Sequence, residues 1–173
     1  MFRVDDYVVY GSTGVCQIKE IKKDEISNDE TEYYILRPVY NDKNMIIKIP
    51  VNNPHVAMRA ILTKDEALSL ITTMPEMETI WIDDNRERSK YFNAILRTRK
   101  SEEWAKILKT LYLEKDARSV MGKTLTKSDE DIMNIAEKHL NEEFAMALNI
   151  SPDKVTAYIL EHIPEKMESE KIN

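Results

Sequence analysis

The order of apolar and polar residues in the first third of the chain predicts short antiparallel strands. β-Branched and aromatic residues are concentrated in short runs, which glycines or turn clusters separate from one another. Gly11 and Gly14 allow the chain to reverse after the first run, and Pro50 ends the last one because it has no N–H to donate. Four or five strands at this spacing predict a small curled β-barrel. The predicted strands are residues 4–10, 15–21, 32–36 and 45–49, with turn clusters at 27–30 and 41–44.

Beyond residue 60 the apolar residues recur at helical spacing. Thr63 and Glu66 have the form of a capping box, and Pro75 stops the short helix that follows. Ser101 and the two glutamates after it form a typical helix start, which places Trp104 on a buried face with three aliphatic residues. Further helices are predicted at 93–98, from Ser128, and from Ser151 to Pro164. The predicted buried face of the helix from Ser128 is Ile132, Ile135, Ala136, Leu140, Ala147 and Leu148.

The two patterns together predict an α+β chain of two domains. A small N-terminal antiparallel β-barrel covers residues 1–60, a C-terminal all-α helical bundle covers residues 61–164, and residues 165–173 form a polar tail. The exposed edges of so small a sheet can pair with a strand of another protein, so the first domain is expected to dock on a partner. We expect a monomer, and a dimer formed by edge pairing or domain swapping is the alternative.

The composition narrows the class of protein. The net charge of the 173 residues is −6, the opposite of a dedicated nucleic-acid-binding protein, so any contact with DNA must be local. No apolar run approaches twenty residues, and no leading basic segment precedes an apolar stretch, so we expect a cytoplasmic protein without membrane contact. Cys16 is the only cysteine, which excludes an intramolecular disulfide, and we expect it to pack inside the sheet.

The sequence offers no set of residues with the spacing of a catalytic or metal-binding site. Its three glycines do not form a phosphate-binding loop, and its three histidines, at 55, 139 and 162, are scattered. The acidic pairs at 83–84 and 142–143 are adjacent in sequence and point different ways on a helix, so we interpret them as solvated surface. We therefore expect no catalytic residue, no metal, no cofactor and no enzymatic activity.

The segment 80–100 carries a local excess of positive charge behind a tryptophan. Trp81 stands at its head, and only Glu87 opposes the basic residues between 86 and 100. Such a patch can neutralise phosphates, and an indole can press against a base step as the wedges of minor-groove binders do. The alternative is that Trp81 belongs to the core and that the cations solubilise a helix. The basic residues are Arg86, Arg88, Lys90, Arg97, Arg99 and Lys100.

Several segments occur in an order that is typical of one family. They are residues 6–10, 14–15, 33–36 and 45–51, then Arg59, Trp81, residues 91–96, Glu103, Trp104 and the final helices. Together they resemble the CarD/CdnL family of bacterial transcription regulators across essentially the whole chain. The first half alone is also similar to the RNA-polymerase-interacting domain of transcription-repair coupling factors, but the helical second half favours the CarD/CdnL family.

The resemblance implies a Tudor-like first domain that pairs with a strand in the lobe of the RNA polymerase β subunit. One basic contact of the family matches Lys48. A second, in the turn after the second strand, meets Asp24 in this sequence, although two lysines precede it. The implied polymerase-binding residues are Lys22, Lys23, Lys48, Ile49 and Pro50.

The resemblance also implies that the helical domain contacts DNA at the upstream edge of the opened promoter. A tryptophan that matches Trp81 is the wedge in the family. Family basic residues follow this tryptophan closely, whereas Asp83 and Asp84 intervene here, and a further family basic site matches the acidic run 128–131. With the basic segment, the expected DNA-binding residues are Trp81, Arg86, Arg88, Lys90, Arg97 and Arg99.

These observations predict a transcription regulator that docks on RNA polymerase and stabilises the open promoter complex. Docking supplies a high effective concentration near DNA, so little intrinsic affinity for DNA is needed. The protein would then associate with the nucleoid through the polymerase. The alternative is an adaptor between RNA polymerase and a second protein, without contact to DNA, which the acidic helix starts favour.

Overall fold

The computed structural model describes residues 1–23, 31–53 and 58–163. Asp24, His55, the turn predicted at 27–30, the helix end predicted at Pro164 and the tail predicted at 165–173 lie outside these residues. In the described part of the chain, no helix has the length and apolar character needed to cross a membrane.

The N-terminal residues form an antiparallel sheet, as their alternating pattern predicts. Its strands in the described residues are β1 (Tyr7–Tyr10), β2 (Gly14–Lys23), β3 (Glu32–Pro38), β4 (Ile47–Pro50) and β5 (Met58–Ala60). Their order across the sheet is β4-β3-β2-β1-β5, so β4 and β5 are its two edge strands. Within the described ranges no ladder joins β4 to β5, so closure into a barrel stays a prediction.

Alternate residues of these strands form a small apolar core. Val8 of β1 lies opposite Cys16 of β2, and Ile18 of β2 lies opposite Leu36 of β3. The side chains of these pairs are buried because they face the same side of the sheet. The position predicted for Cys16 is confirmed. The buried residues of this core are Val8, Cys16, Ile18, Tyr34, Leu36 and Ile49.

Five α-helices follow in the described residues. They are α1 (Lys64–Thr73), α2 (Asn85–Thr98), α3 (Ser101–Val120), α4 (Lys127–Leu148) and α5 (Val155–His162), with 3₁₀ turns at Met74–Glu76 and Pro152–Lys154. The chain is therefore α+β, with the strands first and the helices after them. Its division into two domains at residue 60 stays a prediction.

Polar side chains at the helix starts explain where these helices begin. Thr63 and Glu66 form the predicted capping box at α1. The helix predicted at 93–98 begins well before that range, because Asp84 caps it by accepting hydrogen bonds from two backbone N–H groups. At α4 the cap is Thr126, whose hydroxyl accepts a hydrogen bond from the backbone N–H of Asp129.

The helical core lies around α4, which contacts each of the other four helices described above. Trp104 is buried in this core, as predicted, and its indole N–H donates to the carbonyl of Leu96 at 3.2 Å. The prediction for Ile135 is wrong, since its side chain is exposed. It lies about 100° around the helix from the buried Ala136, because each residue of an α-helix turns by that angle.

Glu143 of α4 joins the helices to the sheet. Its fully buried carboxylate accepts hydrogen bonds from both terminal nitrogens of Arg59 in β5, at 2.6 and 2.9 Å, and from the backbone N–H of Leu62 at 2.9 Å. The hydroxyl of Ser101 also donates to it at 2.6 Å, so this serine does not cap α3 as predicted. The prediction of a solvated Glu143 is wrong, because three partners distant in sequence surround it.

Glu142 is also buried, and its predicted place on the solvated surface is wrong. The backbone N–H of Val15 lies beside its carboxylate, so the turn between β1 and β2 packs against α4. Gly14 in this turn has a φ of +89°, and a Cβ built on it would lie 2.6 Å from Oε2 of Glu142 and 3.3 Å from Nδ1 of His139. A residue with a Cβ would be strained at this φ and would have to displace the side chain of Glu142.

Candidate functional site

Trp81 lies on the chain segment that leads into α2, and its indole is half-buried. One part packs against the apolar core of the helices. The guanidinium of Arg88 lies over the ring, 4.0 Å from its centroid, and the guanidinium of Arg118 lies 5.5 Å from the same centroid. The tryptophan is therefore neither sealed in the core nor free on the surface, and its contact with DNA stays a prediction.

Arg88 does not belong to the exposed basic patch. Its side chain is 1% exposed and forms a buried ion pair with Asp129 of α4, in which Nε donates to Oδ1 at 2.9 Å and Nη2 donates to Oδ2 at 2.7 Å. A guanidinium in this position is not available to a phosphate. The prediction that Arg88 contacts DNA is therefore corrected, because a carboxylate 41 residues away along the chain already neutralises it.

The ion pair between Arg88 and Asp129 gives a structural role to one residue of the acidic run at 128–131. Burial alone would raise the pKa of Asp129, but hydrogen bonds from Arg88 and Thr126, together with the nearby guanidinium charge, lower it below its ordinary value. Asp129 thus serves as an ionised partner inside the helices. Similarly, Asp84 is the cap of α2, whereas Asp83 is exposed.

Arg86 and Lys90 remain exposed, one turn apart on α2. They line a cleft of about 510 Å³ between the starts of α2 and α4. In its lining, the hydroxyl of Ser89 in α2 forms a hydrogen bond of 3.0 Å with the hydroxyl of Ser128 in α4. Two cations and several hydroxyls make this cleft suitable for a phosphate group, although Asp84 and Thr126 already cap backbone N–H groups at the two helix starts. The full lining is Asn85, Arg86, Ser89, Lys90, Thr126 and Ser128.

The other predicted cations lie at the opposite end of α2. Arg97 is exposed in the last turn of that helix, about 16 Å along its axis from Arg86 at 1.5 Å per residue. Arg99 ends the helix with a left-handed backbone, and its carbonyl accepts a hydrogen bond from Arg59. The structure therefore brings Arg86 and Lys90 together near Trp81, and it separates Arg97 and Arg99 from them.

The predicted docking residues lie on or near β4. This strand pairs with β3 on one side, and within the described residues no strand pairs with its outer edge. Lys48 is exposed, with its Nζ 4.2 Å from the centroid of the Tyr33 ring. Just before the strand, the apolar side chain of Ile46 is 59% exposed. An accessible backbone edge beside an exposed apolar residue suits pairing with a partner strand.

The remaining predicted docking residues differ in which of their groups are accessible to a partner strand. The side chain of Ile49 is buried in the sheet core, so its predicted contact with a partner is restricted to the backbone. Pro50 is half-buried at the end of β4 and has no N–H to donate. Lys22 and Lys23 are exposed at the end of β2, and Nζ of Lys22 forms an ion pair with Glu20.

Sequence reasoning missed the residues that surround Trp81 from other elements. Arg118 comes from α3, and Asp129, which holds Arg88 in place, comes from the start of α4. No local pattern links these positions to residue 81. The only signal was the departure at 128–131, where an acidic run replaces a basic family site.

Comparison with known families identifies the N-terminal part of the chain. Residues 2–62 match the profile described as the CarD-like/TRCF RID domain, and this range contains all five strands of the sheet. A comparison with curated proteins gave no match.

Proposed function

We propose, from the CarD-like RNA-polymerase-interacting domain at residues 2–62, that this chain is a transcription regulator that docks on RNA polymerase and stabilises the open promoter complex. In this proposal the β subunit lobe supplies the strand that pairs with β4, and promoter DNA is contacted by Trp81 and the cleft between α2 and α4. The protein acts in the cytoplasm, as a monomer with a Tudor-like barrel, and catalyses no reaction.

The outer edge of β4 supports the docking step. Backbone N–H and C=O groups on an edge strand give affinity to an added strand, while side chains fix its register. Lys48 would add a charge contact beside this edge, and Ile46 would add an apolar one. The opposite edge strand, β5, is less suitable because Arg59 fastens it to α3 and α4.

The observation that carries the DNA step is the half-buried indole beside a cationic cleft. Asn85 connects the two, because it lines the cleft and its side-chain oxygen accepts a hydrogen bond from Arg88 under the indole. A phosphate in the cleft would contact Arg86 and Lys90 while Trp81 lies against the adjacent base step. Such wedges offset lost base stacking by apolar contact.

A tether explains how an acidic protein can act on DNA. Docking on polymerase raises the local concentration of the wedge, so the net charge of −6 does not prevent contact. If the wedge binds only unwound DNA, it shifts the population toward the open complex. A preference of about 1.4 kcal/mol would change that population ratio tenfold.

A second candidate function is an adaptor that binds polymerase and another protein without touching DNA. The ion pair between Arg88 and Asp129 favours it, because it removes one cation from the basic segment. The exposed Asp83 beside Trp81 also favours it, since a carboxylate repels phosphates.

The lifetime of the open complex with purified polymerase tests the proposal. We expect Trp81→Ala to shorten this lifetime while binding to a β-lobe fragment stays unchanged, and Lys48→Glu to weaken that binding. Arg86→Ala should shorten the lifetime as well, whereas the matched control Arg97→Ala, at the far end of the same helix, should not. An unchanged lifetime for both Trp81→Ala and Arg86→Ala, with docking intact, would support the adaptor instead.

A further inference from the structure

We infer that Arg88 is a positioning residue that holds the indole of Trp81 in the orientation needed to contact DNA. This inference rests on the proposed function and adds to it a residue that does not itself touch the nucleic acid. The geometry that supports it lies in the contacts of one guanidinium group.

The guanidinium of Arg88 uses all five of its N–H donors. Two bind the carboxylate of Asp129, at 2.9 and 2.7 Å, and one binds the side-chain oxygen of Asn85 at 2.8 Å. The remaining two donate to the carbonyls of Ile82 and Asp83, at 2.7 and 3.3 Å. With every donor occupied and 1% of its surface exposed, the group is held in one plane.

Two of these contacts act directly on the neighbourhood of Trp81. The carbonyls of Ile82 and Asp83 belong to the two residues that follow the tryptophan, so their hydrogen bonds fix the backbone that carries it. Cζ of the guanidinium also lies over the indole, 4.0 Å from the ring centroid, and this cation–π contact favours one orientation of the ring. Arg88 thus determines both the position and the tilt of the ring.

Asp129 is held in turn by the start of α4. The hydroxyl of Thr126 donates to Oδ2 of Asp129 at 2.7 Å, which leaves the carboxylate one orientation toward Arg88. The support of the indole therefore extends from α2 to α4. A lysine at position 88 would keep the charge but has three donors and no flat face, so it could not replace these contacts.

Arg118 offers a matched control. It also lies over the indole, but its Cζ is 5.5 Å from the centroid, and its Nε forms an ion pair with Glu114 at 2.7 Å on a partly exposed surface. In the described part of the chain its hydrogen bonds go to Glu114 and to the carbonyl of Thr124, away from the backbone next to Trp81. Replacing it should therefore leave the indole largely in place.

The test uses the full chain labelled with 5-fluorotryptophan, whose two tryptophans, Trp81 and Trp104, give two ¹⁹F resonances. In Arg88→Lys we expect the Trp81 resonance to shift and broaden while the Trp104 resonance stays in place. We expect the open-complex lifetime to fall about fivefold, and Arg118→Lys to change it less than about twofold. In a Trp81→Ala background, Arg88→Lys should have no further effect.

Asp129→Asn is the second variant, since it keeps the size of the side chain, removes its charge and replaces one of the two oxygens that accept from Arg88 by a donor NH2. It should give the same changes as Arg88→Lys, at smaller amplitude. An unmoved Trp81 resonance in both variants would overturn the inference alone. The inference would also be overturned if Arg88→Lys shortened the open-complex lifetime equally with and without the indole of Trp81. The same holds if the Trp81 resonance moved but the lifetime stayed unchanged, or if both variants lost the fold. An unchanged lifetime for Trp81→Ala itself would instead overturn the proposed function.

Discussion

Arg59 of β5 and Glu143 of α4 are joined by two parallel hydrogen bonds, and the glutamate carboxylate is completely buried. Removing one partner of a buried ion pair leaves an uncompensated charge in the interior. We therefore predict that Arg59→Ala lowers the free energy of unfolding by about 3 kcal/mol. Urea denaturation followed by circular dichroism measures this change.

Lys106 provides the control for that measurement. Its ion pairs with Glu102 and Glu103 lie on the surface of α3, where such pairs contribute less than about 1 kcal/mol. Equal losses of stability for Arg59→Ala and Lys106→Ala would show that the contact between β5 and α4 contributes no more to stability than a surface ion pair.

Gly14 and Gly11 form a matched pair of glycines in the same turn. Both have positive φ, but a Cβ on Gly11 would meet nothing within 4 Å, whereas one on Gly14 would collide with Glu142. We predict that Gly11→Ala costs about 1 kcal/mol from backbone strain and that Gly14→Ala costs clearly more. Thermal unfolding of both variants measures the difference, and equal melting temperatures would contradict the close packing of this turn on α4.

Glu142 makes stability depend on pH. Burial raises its pKa above the ordinary 4.5, so the folded chain holds this proton at pH values where the unfolded chain has lost it. The wild type therefore loses stability as pH rises from 4.5 through the raised pKa. Glu142→Gln cannot ionise and keeps a side-chain oxygen near the N–H of Val15, so we predict that it is more stable than the wild type at pH 7.

The gain should shrink as pH falls toward 4.5, where the wild-type carboxyl is protonated in both states. Burial lowers the pKa of His139, which costs stability below pH 6.5 in both variants and so cancels from their difference. The positive charge of Lys138 lowers the pKa of Glu142 and so offsets part of the effect of burial. Cys16 and Tyr40 also lie near this carboxyl. Denaturation curves between pH 4 and pH 8 provide the test, and a gain that is independent of pH would contradict it.

Cys16 should be chemically inert in the folded chain. Burial raises the pKa of its thiol to about 11, with a further contribution from the charge of Glu142. At pH 8 about one thiol in a thousand would then be ionised, and its side chain is fully enclosed. We predict that 5,5′-dithiobis(2-nitrobenzoic acid) labels the protein only after denaturation. Rapid labelling of the native chain would show that the sheet opens readily.

Local patterns in the sequence were sufficient to predict much of the fold. The alternation at β1 and β2, the capping box at Thr63 and the helical spacing around Trp104 each depend on neighbours within a few residues. Such features can be recognised without knowing what packs against them. The match of residues 2–62 to a known domain agrees with the strands that this pattern predicts.

The errors share a different cause, which is a partner far away along the chain. The sequence places Arg88 in an exposed basic patch because cations are in local excess around it, and it places Glu143 in solvent because adjacent acidic residues point different ways on a helix. Their partners are 41 and 84 residues away. Charge runs predict a solvated face only where the opposite charge is not supplied by another element. The buried support of Trp81 therefore became visible only in three dimensions.

The rigid joint between β5 and α4 gives the docking edge a further role under the proposed function. Strand pairing can slip only in steps of two residues if each side chain is to keep its face, and two residues span about 7 Å. Because the sheet and the helices move as one, a slip at β4 would carry the indole along with it. Bases are stacked about 3.4 Å apart, so a displacement of this size exceeds the spacing of neighbouring bases. The register of a protein–protein ladder would then select the nucleotide at which transcription is regulated.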